Sequence, residues 1–133
     1  MTNVTMDNTS SAFFIYQISL SLNNTTVSNA DYVVELWGSR GSGYVSGSHN
    51  NFFASTEFSR PNWEGRLPSI NLTNSLYEDP LFVSPLDGDY HLQAGSPLID
   101  AGIDVGLPFS GEAPDIGAYE FDELTIPELV EPL

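Results

Sequence analysis

The feature that most constrains this chain is a repeat. Asn3-Val4-Thr5-Met6-Asp7-Asn8 returns as Asn24-Thr25-Thr26-Val27-Ser28-Asn29, a shift of 21 residues. A looser third copy, Ser48-His49-Asn50-Asn51 after Tyr44-Val45, follows at about the same shift. Short apolar runs lie between the copies, such as Ala12-Phe13-Phe14-Ile15-Tyr16 and Tyr32-Val33-Val34-Glu35-Leu36-Trp37, and they have strand length and no helical period. A period of about 21 or 22 with polar corners suits a β-solenoid, in which each rung buries its inward side chains against the next. Asparagine fits such corners because it tolerates left-handed backbone and its stacked side chains can hydrogen-bond. An ordinary β-sandwich with Asn-rich turns would share this composition, and periodicity alone does not separate the two.

Length and charge narrow the alternatives. One hundred and thirty-three residues make about one domain. No apolar run reaches the roughly 18 residues of a membrane span. Eighteen acids against three arginines and no lysine give a net charge of -15, which repels nucleic acid and anionic membranes at long range. The absence of cysteine excludes disulfides, thiolate zinc sites and a Cys nucleophile. The first residues have neither a basic nor an apolar stretch of the kind a secretory signal carries. Charge also divides the chain, because residues 1 to 67 hold all three bases and five acids, whereas residues 68 to 133 hold thirteen acids and no base.

The second part carries the more specific pattern. Asp79-Pro80-Leu81-Phe82-Val83, Asp87-Gly88-Asp89-Tyr90-His91-Leu92, Gly95-Ser96-Pro97-Leu98-Ile99-Asp100-Ala101-Gly102 and Asp115-Ile116-Gly117-Ala118-Tyr119-Glu120-Phe121 follow one another with short spacers. This order resembles the carboxyl-terminal end of secreted right-handed parallel β-helix proteins of the pectate-lyase-like superfamily, specifically over 79 to 121 and more loosely at Asn50 to Phe53. The resemblance implies an all-β fold: a right-handed parallel β-helix fragment of two to three rungs with an irregular C-terminal cap. It also implies an extracellular or cell-surface location.

Three segments are expected: rungs and a loop over 1–67, a capping region over 68–121, and an acidic, Pro-containing tail or linker over 122–133. Within the cap, Asp87-Gly88 is a hairpin signal, and Asp89 to Leu92 alternates as a half-buried strand with Tyr90 and Leu92 on one face. Ser96 as N-cap, Pro97 at the first position and Gly102 as left-handed terminator predict one or two helical turns over 96–102. Asp79, Pro80, Phe82, Asp100, Asp115, Gly117 and Tyr119 complete the cap set.

An enzymatic reading meets obstacles. Lyases of the resembled fold commonly use a Lys or Arg base and a calcium-binding acid cluster; this chain lacks lysine and shows no acid cluster in its first half, so no catalytic residue is carried over. The close pair Asp87 and Asp89 could serve a glycoside hydrolase, but a turn role accounts for it more simply. No cofactor is expected. Calcium is the one candidate, on Asp87, Asp89 and Asp104, without an EF-hand loop or a Gly-rich calcium repeat. His49 and His91 lack the spacing of a zinc site.

Binding has better material. Arg60-Pro61-Asn62-Trp63-Glu64-Gly65-Arg66 reads as an exposed loop on which Trp63 could stack a sugar while Arg60 and Arg66 pair with uronate carboxylates. The plainer alternative packs Trp63 under the loop and lets both arginines neutralise neighbouring acids. Five sequons, at Asn3, Asn8, Asn23, Asn24 and Asn71, would mark an extracellular chain in a host that glycosylates asparagine. The expected partners are upstream β-helix rungs, or a second copy through the open solenoid end, and polysaccharide. The expected role is that of non-catalytic terminal rungs and cap, with a polysaccharide lyase or hydrolase fragment and an adhesin or filament subunit as rivals.

Overall fold

A computed structural model describes residues 1–16, 19–38 and 43–122. Among the described residues the protein is all-β with predominantly parallel strands, and its sheets form no closed barrel. Strands β1 (Thr5–Tyr16), β3 (Thr26–Trp37), β5 (Asn51–Phe53) and β6 (Glu57–Arg60) form one parallel sheet, in which β5 and β6 pair successive stretches of β3. Strands β2 (Ser19–Asn23), β4 (Tyr44–Ser48) and β7 (Ser69–Thr73) form a second parallel sheet. Strands β8 (Phe82–Ser84) and β9 (Asp89–Leu92) make an antiparallel hairpin.

The repeat sets the register. Thr5 pairs with Thr26, matching the 21-residue shift in the sequence. The third copy departs from it: Thr26 pairs with Asn51 and Asn23 with Ser48, an advance of 25 residues rather than 21 or 22. Val27, Val34 and Leu36 of the first sheet meet Leu22 and Val45 of the second in one apolar cluster, joined by Phe13, Ile15 and Phe52.

Left-handed corners follow the same repeat. Asn3, Asn24, His49 and Asn74 have φ between 50° and 55°, and Asn8, Asn29 and Ala54 form a second such series at 51° to 53°. Asparagine occupies the first positions for the reason given above; in the third copy His49 and Ala54 replace it, which is why that copy is hard to see in the sequence. Gly47, at φ 138°, is required by packing: a Cβ there would sit 1.7 Å from the Leu22 carbonyl oxygen.

The C-terminal region has its own small core of Phe82, Leu92, Leu98 and Ile116, with Leu76, Tyr90, Ile99, Ala101 and Phe121 packed around it. The Asp87-Gly88 signal forms the expected turn, a 3-10 segment over Pro85–Asp87 closed by left-handed Gly88. Tyr90 and Leu92 face the core as alternation predicts, with Tyr90 edge-on to Phe82 at 5.2 Å. The helical turns expected over 96–102 are instead two successive turns, closed by Ile99 N–H to Ser96 O and Ala101 N–H to Leu98 O, both at 3.4 Å. The helix stops because Asp115 Oδ1 accepts the Asp100 amide at 2.8 Å, and Asp100 itself, not Gly102, turns left-handed at φ 55°. Gly102 is needed for close approach, since a Cβ would lie 2.7 Å from the Pro114 carbonyl oxygen. Of the tail assigned to 122–133, residues 123–133 lie outside the described residues.

Candidate functional site

Two kinds of polar construction stand out, one joining the halves and one opening to solvent. The joint is built on Asn24, which is fully buried. Its Nδ2 donates to Ile103 O at 2.7 Å and to Asn3 Oδ1 at 3.1 Å, and its Oδ1 accepts the Ile103 amide at 2.7 Å. Its carbonyl accepts the Gly117 amide at 2.8 Å, and Thr5 Oγ1 accepts the Ala118 amide at 2.9 Å. Ile103, Gly117 and Ala118 thus reach the repeat's first two copies, whereas Asp115 bonds within its own region, to Asp100, Glu120 and Phe121. A glycan on Asn24 is incompatible with this burial, whereas Asn8 and Asn71 are exposed.

The other predicted cap residues make mainly local bonds. Asp79 accepts the Leu81 amide, Ser96 donates from Oγ to Pro80 O at 2.6 Å and accepts the Leu98 amide, and exposed Pro97 lies in the turn that follows. Asp87 accepts Ser84 Oγ at 2.6 Å, whereas Asp89 binds the amide and Nδ1 of His91. That bond to His91 holds the Asp89 carboxyl below its ordinary range. Tyr119 stacks on the His91 ring at 4.1 Å. Asp87, Asp89 and Asp104 therefore serve separate partners, Asp104 accepting the Gly106 amide. Among the described residues no group of three or more His, Cys, Asp or Glu is arranged to hold a metal ion.

The open construction is a groove of about 350 Å³ where the end of β3 meets the loop after β6, lined by Glu35, Leu36, Trp37, Gly38, Arg60, Pro61, Asn62 and Trp63. Asn62 shapes the loop. Its Nδ2 donates to Gly38 O at 2.6 Å, its Oδ1 accepts the amides of Glu64 and Arg66, and its carbonyl accepts the Gly65 amide. The turn thrusts Trp63 outward to 76% exposure, so it does not pack beneath the loop. Trp37, the chain's other tryptophan, is 56% exposed and stands edge-on to Phe14 at 6.3 Å.

Glu35 lies at the base of the groove with its side chain only 12% exposed. Its Oε2 accepts Ser11 Oγ at 2.8 Å, and its Oε1 accepts Trp37 Nε1 at 3.0 Å and Arg60 Nη1 at 3.3 Å. The Arg60 guanidinium also lies over the Tyr32 ring, 5.4 Å from its centre. Arg66 pairs with Glu64 at 3.3 Å and is not among the groove-lining residues. Of the predicted trio, the structure brings Arg60 and Trp63 together and leaves Arg66 outside. Sequence reasoning missed Trp37, Glu35 and Asn62. Register supplies the missing signal, because Glu35 pairs with Phe14 on one side and with Arg60 on the other.

An aromatic-walled groove with a fixed polar floor can hold the apolar face of a flat, hydroxyl-rich ring while donors and acceptors address its edge. Two other clefts, of about 290 and 360 Å³, lie where Pro85 approaches Asp7 and Asn29, but neither contains a tryptophan. Comparison of the chain with protein families, curated proteins and solved structures finds no match.

Proposed function

We propose that this chain forms non-catalytic terminal rungs and cap of an extracellular right-handed parallel β-helix, and that it holds polysaccharide in the Trp37–Trp63 groove. Parallel strands with a repeat-matched register support the solenoid part of the reading. The carbohydrate part rests on one observation: both tryptophans of the chain are exposed on the same groove, and hydrogen bonds to Glu35 and within the Asn62 turn fix their surroundings. A volume of about 350 Å³ is near the lower end for small-molecule sites and suits one or two sugar rings. Affinity for a short glycan should then be modest, with Kd on the order of 0.1–1 mM, and useful binding would draw on many such sites along a polymer.

Native electrophoresis through gels containing dissolved polysaccharide tests this. The wild-type protein should be retarded by at least one polysaccharide, and Trp63→Ala should run at the rate seen in a blank gel with its melting temperature unchanged. Equal mobility of the two proteins in every polysaccharide would contradict the reading.

Self-association through the open end is a second reading with its own observation. Among the described residues β1 pairs only with β3 along its twelve residues, and Phe14 and Tyr16 on it are exposed. Sedimentation should then show growth with concentration, reduced by Phe14→Lys; a concentration-independent monomer opposes it.

A further inference from the structure

Resting on the proposed groove, we infer that Glu35 is its specificity-determining residue and that the groove selects neutral glycan chains over uronate chains. A uronate gains most from a cation whose charge is uncompensated; Arg60 keeps donors to spare, but its guanidinium already faces a carboxylate. Arg60 Nη1 lies 3.3 Å from Glu35 Oε1, and that carboxylate is nearly covered, so the two charges cancel where a ligand carboxylate would approach. The next guanidinium, Arg66, is paired with Glu64. Among the described residues at and beside the groove, two acids thus balance two bases. The long-range field is left to the rest of a chain carrying a net charge of -15, and it opposes an approaching anion.

Glu35 also acts on the aromatic wall. By accepting the Trp37 Nε1 proton it uses the indole's one donor and holds the ring's orientation, while Ser11 Oγ fixes its second oxygen. The ring therefore offers a stacking surface without a free donor for a ligand carboxylate. Gly38, beside Trp37, preserves the wall because a Cβ there would meet the Tyr16 ring at 2.6 Å. A neutral ring needs only the stacking face and loop carbonyls.

Calorimetry on ligand pairs that differ only in charge tests the inference: galacturonan oligomers as methyl ester and as free acid, and cello-oligosaccharides before and after oxidation of C6 to carboxylate. Wild-type protein should bind the neutral member of a pair at least about fivefold more tightly. Glu35→Gln, nearly isosteric and able to accept the Trp37 proton, should free the Arg60 charge and shrink or invert that ratio. Should this variant fail to fold, Arg60→Gln, at a half-exposed position, should widen the preference instead. A wild-type preference for the free acid, or a ratio unmoved by these substitutions, would overturn the inference and leave the groove itself standing. Failure of every oligomer to bind would remove the groove reading and this inference with it.

Discussion

The parallel-sheet region and the C-terminal region are held together in different ways. In the first, twelve-residue β1 and β3 run side by side in register, and one apolar cluster joins both sheets. In the second, the described residues beyond Leu92 lie in no strand or helix, and order comes from individual side chains that capture backbone amides. Asp115 takes those of Asp100 and Phe121, Asp100 takes those of Glu112 and Ala113, and Glu120 takes that of Asp115. A repeating ladder shares its stability among many similar contacts, whereas a network of unique bonds concentrates it in a few residues. The groove stands on the ladder side, with Glu35 and Trp37 at the end of β3.

The largest effect should come from the ladder's tightest point. Gly47→Ala combines a left-handed backbone with a Cβ driven into the Leu22 carbonyl, and should cost about 3 kcal/mol or more. Urea denaturation should show loss of the whole parallel region, and a midpoint within error of wild type would mean that β2 and β4 are not packed this closely.

Asn24→Ala should separate the two regions. It removes both part-buried side-chain bonds to Ile103, at a cost of about 1–3 kcal/mol. Hydrogen exchange should speed at Ile103 and Gly117 while the amides of β3 stay protected. Equal loss of protection in β3 would show that the regions unfold as one.

Acid should sharpen the contrast further. Burial, followed by the repulsion of neighbouring carboxylates, raises the pKa of Asp115 and of Glu120 above their ordinary values. Each therefore binds its proton more tightly folded than unfolded, so folded stability rises as pH falls through the raised pKa, and the gain is complete below the unfolded pKa of about 4. Asp89 works the other way, adding stability above the ordinary range that is lost on further acidification. Amide protection at Ile116 and Gly117, corrected for the intrinsic exchange rate, should thus increase as pH falls toward about 4, and the gain should be smaller in Asp115→Asn. Unchanged protection on acidification would show that these carboxylates are not desolvated.

The smallest effect lies at a corner. Ala54 occupies the left-handed place that Asn8 and Asn29 fill in the preceding copies. Ala54→Asn should stabilise the parallel region by about 0.5–1 kcal/mol; a destabilised melt would show that the corner does not have this backbone.

Much of the parallel region was legible because its physics is periodic. Asn3 to Asn8 and Asn24 to Asn29 announced both the register of β1 on β3 and the left-handed corners. The third copy was legible at Ser48 to Asn51 but with a spacing of 21 or 22 instead of 25, since a corner needs a backbone angle and His49 and Ala54 supply it without the asparagine signature. The hairpin at Asp87-Gly88 was visible because its turn chemistry is local. The fate of residues 96–102 was not, because what ends the helical turn is Asp115, fifteen residues beyond Asp100. The groove was half legible for the same reason. Its loop could be read from Arg60 to Arg66, but Glu35 and Trp37 join it only through strand register.

The groove's role in carbohydrate binding is tested most directly by intrinsic fluorescence, because the chain's two tryptophans, Trp37 and Trp63, both line it. Titration with neutral oligosaccharides should shift the emission in a saturable way, with a half-point on the order of 0.1–1 mM, and Trp63→Ala should abolish saturation while the melt is preserved. Emission unchanged to several-fold above that concentration across neutral and acidic oligosaccharides alike would contradict the account.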